Sequence, residues 1–285
     1  MATRNYKART ASTRHMSVIR YADYLTTSKP LKALTKGKKS QGGRNSAGRV
    51  TTRHQGGGHK KTQRLVDFML NKKNITGTVE HIEYDPFRSG FIARIVYKDG
   101  ERRYILAPKS LKPGDTVLTS ETAPLAPANR LPLKNIPIGT FIYNIEIHQD
   151  GGAKIARSAG NHAELVALDG GYAQIKMPST EIRKVVDSAW ASIGEVSNDA
   201  HHLVIIGKTG RSRHMGIRPT VRGTAMNAVD HPHGGGEGRQ GRGHRRQRTL
   251  WGKPSGKGQK TRTPKKYSNS FIVTRRKVGK KRKGS

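Results

Sequence analysis

The net positive charge of this chain sits at its two ends, and that separation limits what it can fold into. Residues 1–64 carry 16 Lys and Arg against 1 acid, and residues 207–285 carry 23 against 2. The span 65–206 carries 16 of each and is neutral. A neutral middle can close around a core, whereas flanks of net +15 and +21 repel themselves. The whole chain, 285 residues with a formal charge of +36, therefore calls for a polyanionic partner. Nucleic acid is the usual one, because each Lys or Arg placed on a phosphate releases a condensed counterion. A membrane is the competing polyanion, but no apolar run is long enough to span one. No long amphipathic helix with Trp, Phe or Leu on one face is evident either. The absence of cysteine removes disulfides, thiolate metal sites and Cys nucleophiles, and it fits a reducing compartment. The start, Met1 to Asn5, lacks the apolar region of a secretory signal. Being Arg-rich and acid-poor, it leaves a short organelle-targeting segment open.

The flanks are poor in large apolar side chains. Thr35–Arg44, Trp251–Lys260 and Arg275–Lys283 are Gly-, Ser- and Lys-rich and cannot bury enough surface to offset backbone entropy. Alone, they are expected to be disordered. Sixty-four extended residues reach on the order of 200 Å, so a basic arm of this length can run deep into a large partner.

Strand signals fill the middle. Phe91–Tyr97 and Arg102–Leu106 flank Asp99-Gly100, a strong hairpin signal. Gly77–Tyr84 precedes them, and Thr116–Leu118 follows the turn at Pro113-Gly-Asp115. Ala123–Pro132 is Pro-rich and reads as a linker. In Thr140–Ile147, Phe141, Tyr143, Ile145 and Ile147 alternate on one expected face. Ala163–Leu168 and Tyr172–Met177 flank Asp169-Gly-Gly171, and Glu181–Val186 follows. Trp190 is expected in the core. Asn198 is expected to cap a short helix through Ile206, stopped at Gly207. Two small β domains follow from this, near 65–125 and 130–200, between a basic extension 1–64 and a basic Gly-rich extension 207–285.

Two segments combine Gly with Arg and His. Thr52–Lys60 contains Arg53, His54, His59 and Lys60, and Arg218–Arg239 contains Arg218, Arg222, Asn227, His231, His233 and Arg239. Glycine lets backbone pass where a Cβ would clash, Arg forks onto phosphate, and His donates or stacks. Both segments therefore read as nucleic-acid contacts. His54–His59 and His231–Gly236 echo one another, but their flanks differ, so shared loop chemistry explains them better than a repeat. Trp251 has no core to join in its basic surroundings and is expected to stack on a base.

The literal strings are more specific. Val229-Asp-His-Pro-His-Gly-Gly-Gly-Glu-Gly-Arg239, preceded by Arg218–Asn227, closely resembles the signature of the ribosomal large-subunit protein two family in its bacterial form. Gly43-Arg-Asn45, Thr52-Arg-His54 and Gly56-Gly-Gly-His-Lys60 resemble that family's N-terminal arm. Glu83–Pro86, Tyr97–Pro108, Ala156–Gly160 and Gly194–Val196 continue the match in the family's order. The match covers nearly the whole chain from about residue 40, while Ala228 stands where bacterial members usually have Pro. The resemblance implies an OB-fold barrel followed by an SH3-like barrel, with both extensions threading between helices of large-subunit rRNA. It implies a structural part in the large ribosomal subunit, support for subunit association and for the architecture of the peptidyl transferase centre, and a place in the cytoplasmic or an organellar ribosome. Its implied partners are rRNA, other ribosomal proteins and the small subunit across the intersubunit interface. Arg88 and Arg157 carry over by position as RNA contacts, although by composition alone they would be ordinary exposed residues. His231 matches the histidine that the family associates with peptidyl-transferase competence.

Enzymatic readings fare worse. His231 has no paired nucleophile or oxyanion frame, so no catalytic residue and no small-molecule substrate is expected, and indirect support of peptidyl transfer is the better assignment. His231, His233 and Glu237 lack the supporting ligands of a structural metal site. No cofactor is expected, and Mg²⁺ is expected only through the rRNA. Gly234–Gly236 is not followed by Gly-Lys-Ser/Thr, which removes a nucleotide-binding loop.

Overall fold

A computed structural model describes residues 3–256 and 261–276. Parts of two stretches expected to be disordered alone, 257–260 and 277–283, lie outside the described residues. The chain divides into two compact units. One comprises the described residues of 1–39, 60–208 and 268–285, the other those of 40–59 and 209–267.

The first unit is mostly β. Its N-terminal part supplies two short antiparallel ribbons, β1 (Thr3–Asn5) with β2 (Ser17–Ile19) and β3 (Thr35–Gly37) with β4 (Thr62–Arg64). Thr35–Gly37 thus gains a partner strand, which the Gly- and Lys-rich stretch beginning there lacks when alone. Ahead of β3, Tyr21, Tyr24 and Leu25 pack on the first barrel's core, and the Tyr21 ring meets Phe91 edge-on at 5.6 Å.

That first barrel holds β5 (Gly77–Glu83), β6 (Ile92–Tyr97), β7 (Arg102–Leu106) and β8 (Thr116–Val117), in the order β7-β6-β5-β8. The Asp99-Gly100 turn joins β6 to β7, with Gly100 at φ +82°. Val79, Ile95, Ile105 and Val117 bury their side chains in one cluster. Each fully buried aliphatic side chain contributes roughly 1.5–3 kcal/mol.

The second barrel holds β9 (Arg130–Pro132), β10 (Phe141–Tyr143), β11 (Ile145–Glu146), β12 (Ala153–Ile155), β13 (Ala163–Asp169), β14 (Tyr172–Lys176), β15 (Ile182–Val186) and β16 (Trp190–Ile193). With β17 (Ile272–Thr274) they form a sheet ordered β17-β15-β14-β13-β10-β16-β9, while β11 and β12 pair separately. Leu133, Ile142, Leu165 and Ile175 centre its core. A small third cluster, Leu106, Tyr143 and Val196, joins the two barrels. The architecture is that expected of an OB-fold barrel followed by an SH3-like barrel, and Trp190 is buried as expected.

Three local expectations need correction. The Pro-rich 123–132 is no free linker: Ala123, Ala128 and Leu131 are buried and β9 is paired along its length with β16. The alternation from Phe141 to Ile147 breaks at Asn144, whose φ of +53° ends β10, so Ile142 points inward and Phe141 is exposed. The segment after Asn198 is a 3₁₀ turn over Asp199–Leu203 with no side-chain cap. Asn198 is itself left-handed, and its amide donates to the Ser89 carbonyl instead.

Candidate nucleic-acid interface

The second unit is built from segments of both basic extensions, 40–59 and 209–267. Its α1 (Thr209–His214) leads into a backbone zipper: Gly56 donates to the Gly216 carbonyl (2.8 Å), His59 to His214 (2.8 Å) and Arg218 to His54 (3.0 Å). Glycine makes this possible. At Gly58, φ +64°, an added Cβ would stand 2.8 Å from the Gly216 nitrogen and the His214 carbonyl oxygen. At Gly57 nothing lies within 4 Å. Much of the close approach inferred from the Gly-rich arm is thus made by the chain to itself.

The 226–235 loop closes on its own backbone. The Asn227 carbonyl accepts N–H groups of Asp230 (3.0 Å) and His231 (3.3 Å), and the Met226 carbonyl accepts that of Gly235 (3.1 Å). A Cβ on Gly234 would stand 2.2 Å from the Asn227 oxygen, so no other residue fits. The His231 ring lies against Gly223, where a Cβ would come within 2.5 Å of its Cε1. His233 donates its backbone N–H to His231 Nδ1 (3.0 Å), and Arg248 donates its own to His233 Nε2 (3.0 Å). Both rings accept at these nitrogens, which requires them unprotonated there. The His233 imidazole is held below its usual 6.5, first by desolvation and then by His231, Arg242, His244 and Arg248. His244 Nε2 lies 3.0 Å from the Pro232 carbonyl and completes the cluster.

Around this frame many of the described cations are exposed. The spans 40–59 and 209–267 hold 18 Lys and Arg but only Asp230 and Glu237 as acids, too few carboxylates to neutralise them. Arg53, Arg218, Arg222 and Arg239 are exposed. Trp251 is 72% exposed, and the Arg53 guanidinium lies 5.3 Å from its ring centroid. Of the residues expected at the interface, Arg53, His54, His59, Arg218, Arg222, Asn227, His231, His233, Arg239 and Trp251 fall together in this unit.

Lys60, Arg88 and Arg157 fall in the first unit, whose span 65–206 carries as many acids as cations. Arg94 pairs with Glu80 and Glu83, Arg103 with Asp67 and Glu101, and Lys109 with Asp199. Arg88 keeps Nε 2.5 Å from buried Asp85, and Arg157 donates to the Ala153 carbonyl at 3.2 Å. Both guanidinium groups also lie over the ring of Phe68, at 5.1 and 4.5 Å from its centroid. Among the described residues, no cluster of three or more His, Asp or Glu is arranged to hold a metal ion, and no helix is long and apolar enough to cross a membrane.

Known families match this arrangement across both barrels and the histidine loop. Residues 31–119 match the family described as Ribosomal Proteins L2, RNA binding N-terminal domain, and residues 126–252 match Ribosomal Proteins L2, C-terminal domain. The chain is also 54% identical over 249 residues to the large ribosomal subunit protein uL2 of Buchnera aphidicola, covering 87% of this chain and 90% of that relative. The chain belongs to the ribosomal protein L2 family. As an L2 protein it is a structural, non-enzymatic protein of the large ribosomal subunit with an RNA-binding domain.

The L2 N-terminal match spans Arg53, His54, His59, Lys60 and Arg88, and the C-terminal match spans Arg157 and the remaining interface residues through Trp251. The sequence reading missed Phe68, His214, His244 and Arg248. The His244 and Arg248 partnerships have no local signal, because they join residues 12 and 15 positions from Pro232 and His233 through a turn-rich loop. For Phe68 a signal existed: a large aromatic next to Asp67 at the entrance to the first barrel.

Proposed function

We propose that this chain binds large-subunit rRNA with two distinct surfaces. The second unit supplies dense, unneutralised positive charge on a frame closed by its own backbone, and the first unit supplies Arg88 and Arg157. Arg53, His54, His59, Lys60, Arg218, Arg222, Asn227, His233 and Arg239 act as backbone or base-edge contacts, and Trp251 stacks on a base. The observation that carries this reading is the 18-to-2 excess of cations over carboxylates in a unit whose loop geometry is set internally. A loosely coating protein needs charge but no such closed loop.

We further infer a place at the peptidyl transferase centre and in the joining of the small subunit, within the cytoplasmic ribosome and beside other ribosomal proteins. His231 supports peptidyl transfer indirectly. Its Nδ1 is engaged by the His233 N–H and its ring packs on Gly223, so it holds the loop in shape. Mg²⁺ enters as a counterion of the RNA. The test is sedimentation of the tagged protein from a cell extract after a high-salt wash. Retention with the large subunit is expected, since many contacts are buried as well as electrostatic. Release, free or on mixed nucleic acid, would overturn the reading in favour of a nonspecific coat.

A further inference from the structure

Phe68 occupies a position that the charge and motif patterns leave unexplained. Its ring is half-buried and lies beneath two guanidinium groups from different barrels, Arg88 just beyond β5 and Arg157 just beyond β12. The segment carrying it is strapped to both barrels. Asp67 donates its N–H to the Tyr104 carbonyl on β7 (2.8 Å), and the Phe68 carbonyl accepts the N–H of Ala153 on β12 (2.8 Å). The Asp67 carboxylate accepts the N–H groups of Met69 and Leu70, both at 2.9 Å, which locks the turn that presents the ring. Gly152, φ +72°, admits this approach, since a Cβ there would stand 2.8 Å from Met69 Sδ. Ala153 completes the arrangement, because its carbonyl takes the hydrogen bond from Arg157.

We propose that Phe68 is a positioning residue that couples Arg88 and Arg157 into one phosphate-binding pair spanning the two barrels. The inference rests on the proposed reading that these arginines contact the rRNA backbone. An arginine on an open surface loses side-chain freedom when it engages a phosphate. A guanidinium already seated on an aromatic face has lost much of that freedom before the RNA arrives, and it keeps its in-plane N–H groups available. The ring also holds two like charges near one another, where a phosphate backbone relieves their repulsion. Asp85 steadies Arg88 by accepting from its Nε and leaves the remaining guanidinium nitrogens to the ligand.

The test uses the full-length chain, large-subunit rRNA as probe, and binding measured at fixed salt. Phe68→Leu keeps the apolar bulk and the net charge but removes the π face. It is expected to weaken binding roughly five- to thirtyfold, while Phe68→Tyr binds as the parent does. Arg88→Ala and Arg157→Ala are each expected to weaken binding in the parent and to cost markedly less in the Phe68→Leu background. Thermal unfolding of each variant checks that the barrels stay folded. If Phe68→Leu binds like the parent, or Phe68→Tyr binds as weakly as Phe68→Leu, the positioning inference fails and the arginine contacts stand. If neither arginine variant changes binding, the contact reading fails and the inference falls with it.

Discussion

Arg130 and Glu146 form an ion pair of 2.8 Å in which each side chain is only 2% exposed. The pair is also well supplied with other partners. Arg130 donates to the Asn144 carbonyl at 2.8 Å, and Glu146 accepts the Asp150 N–H at 3.1 Å and that of Trp190 at 3.4 Å. It thereby ties β9, the Asn144 break and β16 together. Glu146→Ala leaves a buried guanidinium without its counter-charge and is expected to cost about 3–5 kcal/mol of unfolding free energy. Replacing both, Arg130→Met with Glu146→Leu, is expected to cost less than Glu146→Ala alone. Urea unfolding of the three proteins checks this, and a double variant less stable than the single one would refute it.

Gly58 and Gly57 are neighbours with opposite demands. Gly58→Ala meets backbone at 2.8 Å with a positive φ, so it is expected to cost about 1–3 kcal/mol locally and to unseat the arm from Gly216. Gly57→Ala meets open space and is expected to stay within about 0.5 kcal/mol of the parent. Hydrogen exchange at the His59 and Arg218 amides reads the difference. Equal protection in both variants would count against the zipper.

The histidine cluster is expected to be acid-sensitive. The folded His233 imidazole lies below 6.5 and the unfolded one at that value, so the unfolded state takes up the proton first as pH falls. The cluster's contribution is therefore complete above 6.5 and is lost as the pH falls through 6.5 toward the folded value. Amide exchange at Arg248, whose N–H binds His233 Nε2, should accelerate across that window. In His233→Gln the pH step should vanish, and a step that persists would assign it to another group.

His231 can be tested without removing it. Gly223→Ala places a methyl where the His231 ring lies and must displace that ring. If His231 acts by holding the loop, Gly223→Ala and His231→Ala should impair translation by purified particles or subunit joining to a similar degree, roughly tenfold or more. Barrel unfolding should be unchanged in both. Normal activity of Gly223→Ala particles beside inactive His231→Ala particles would point to direct chemistry at the imidazole.

The barrels were legible because their signals are local. Asp99-Gly100 and Asp169-Gly-Gly171 announce hairpins within a few residues, and the structure places β6–β7 and β13–β14 around them. Short-range reading failed where one residue departs from its neighbours' geometry, as at left-handed Asn144 and Asn198. The Pro-rich 123–132 misled for a related reason: proline marks a chain without ladder donors, yet Pro132 sits at the end of β9 against Trp190. At the candidate interface, the residue types of the arm and the histidine loop were readable. The pairing of Gln55 with Ile217 was not, because no local pattern encodes a partner so distant in sequence.

That pairing also sets an order of events during synthesis. The segment 54–59 leaves the ribosome that makes it about 160 residues before the strand-like stretch through Arg218 that completes it. At typical elongation rates this is a wait of roughly ten to thirty seconds. Throughout it, the first barrel and then the second can close while the arm's glycines and histidines stay without their backbone partners. The newborn chain thus passes through a stage in which the barrels lack only the edge strand β17 while the highly cationic hand is unfinished, and only the last quarter of translation supplies the other half of its grip.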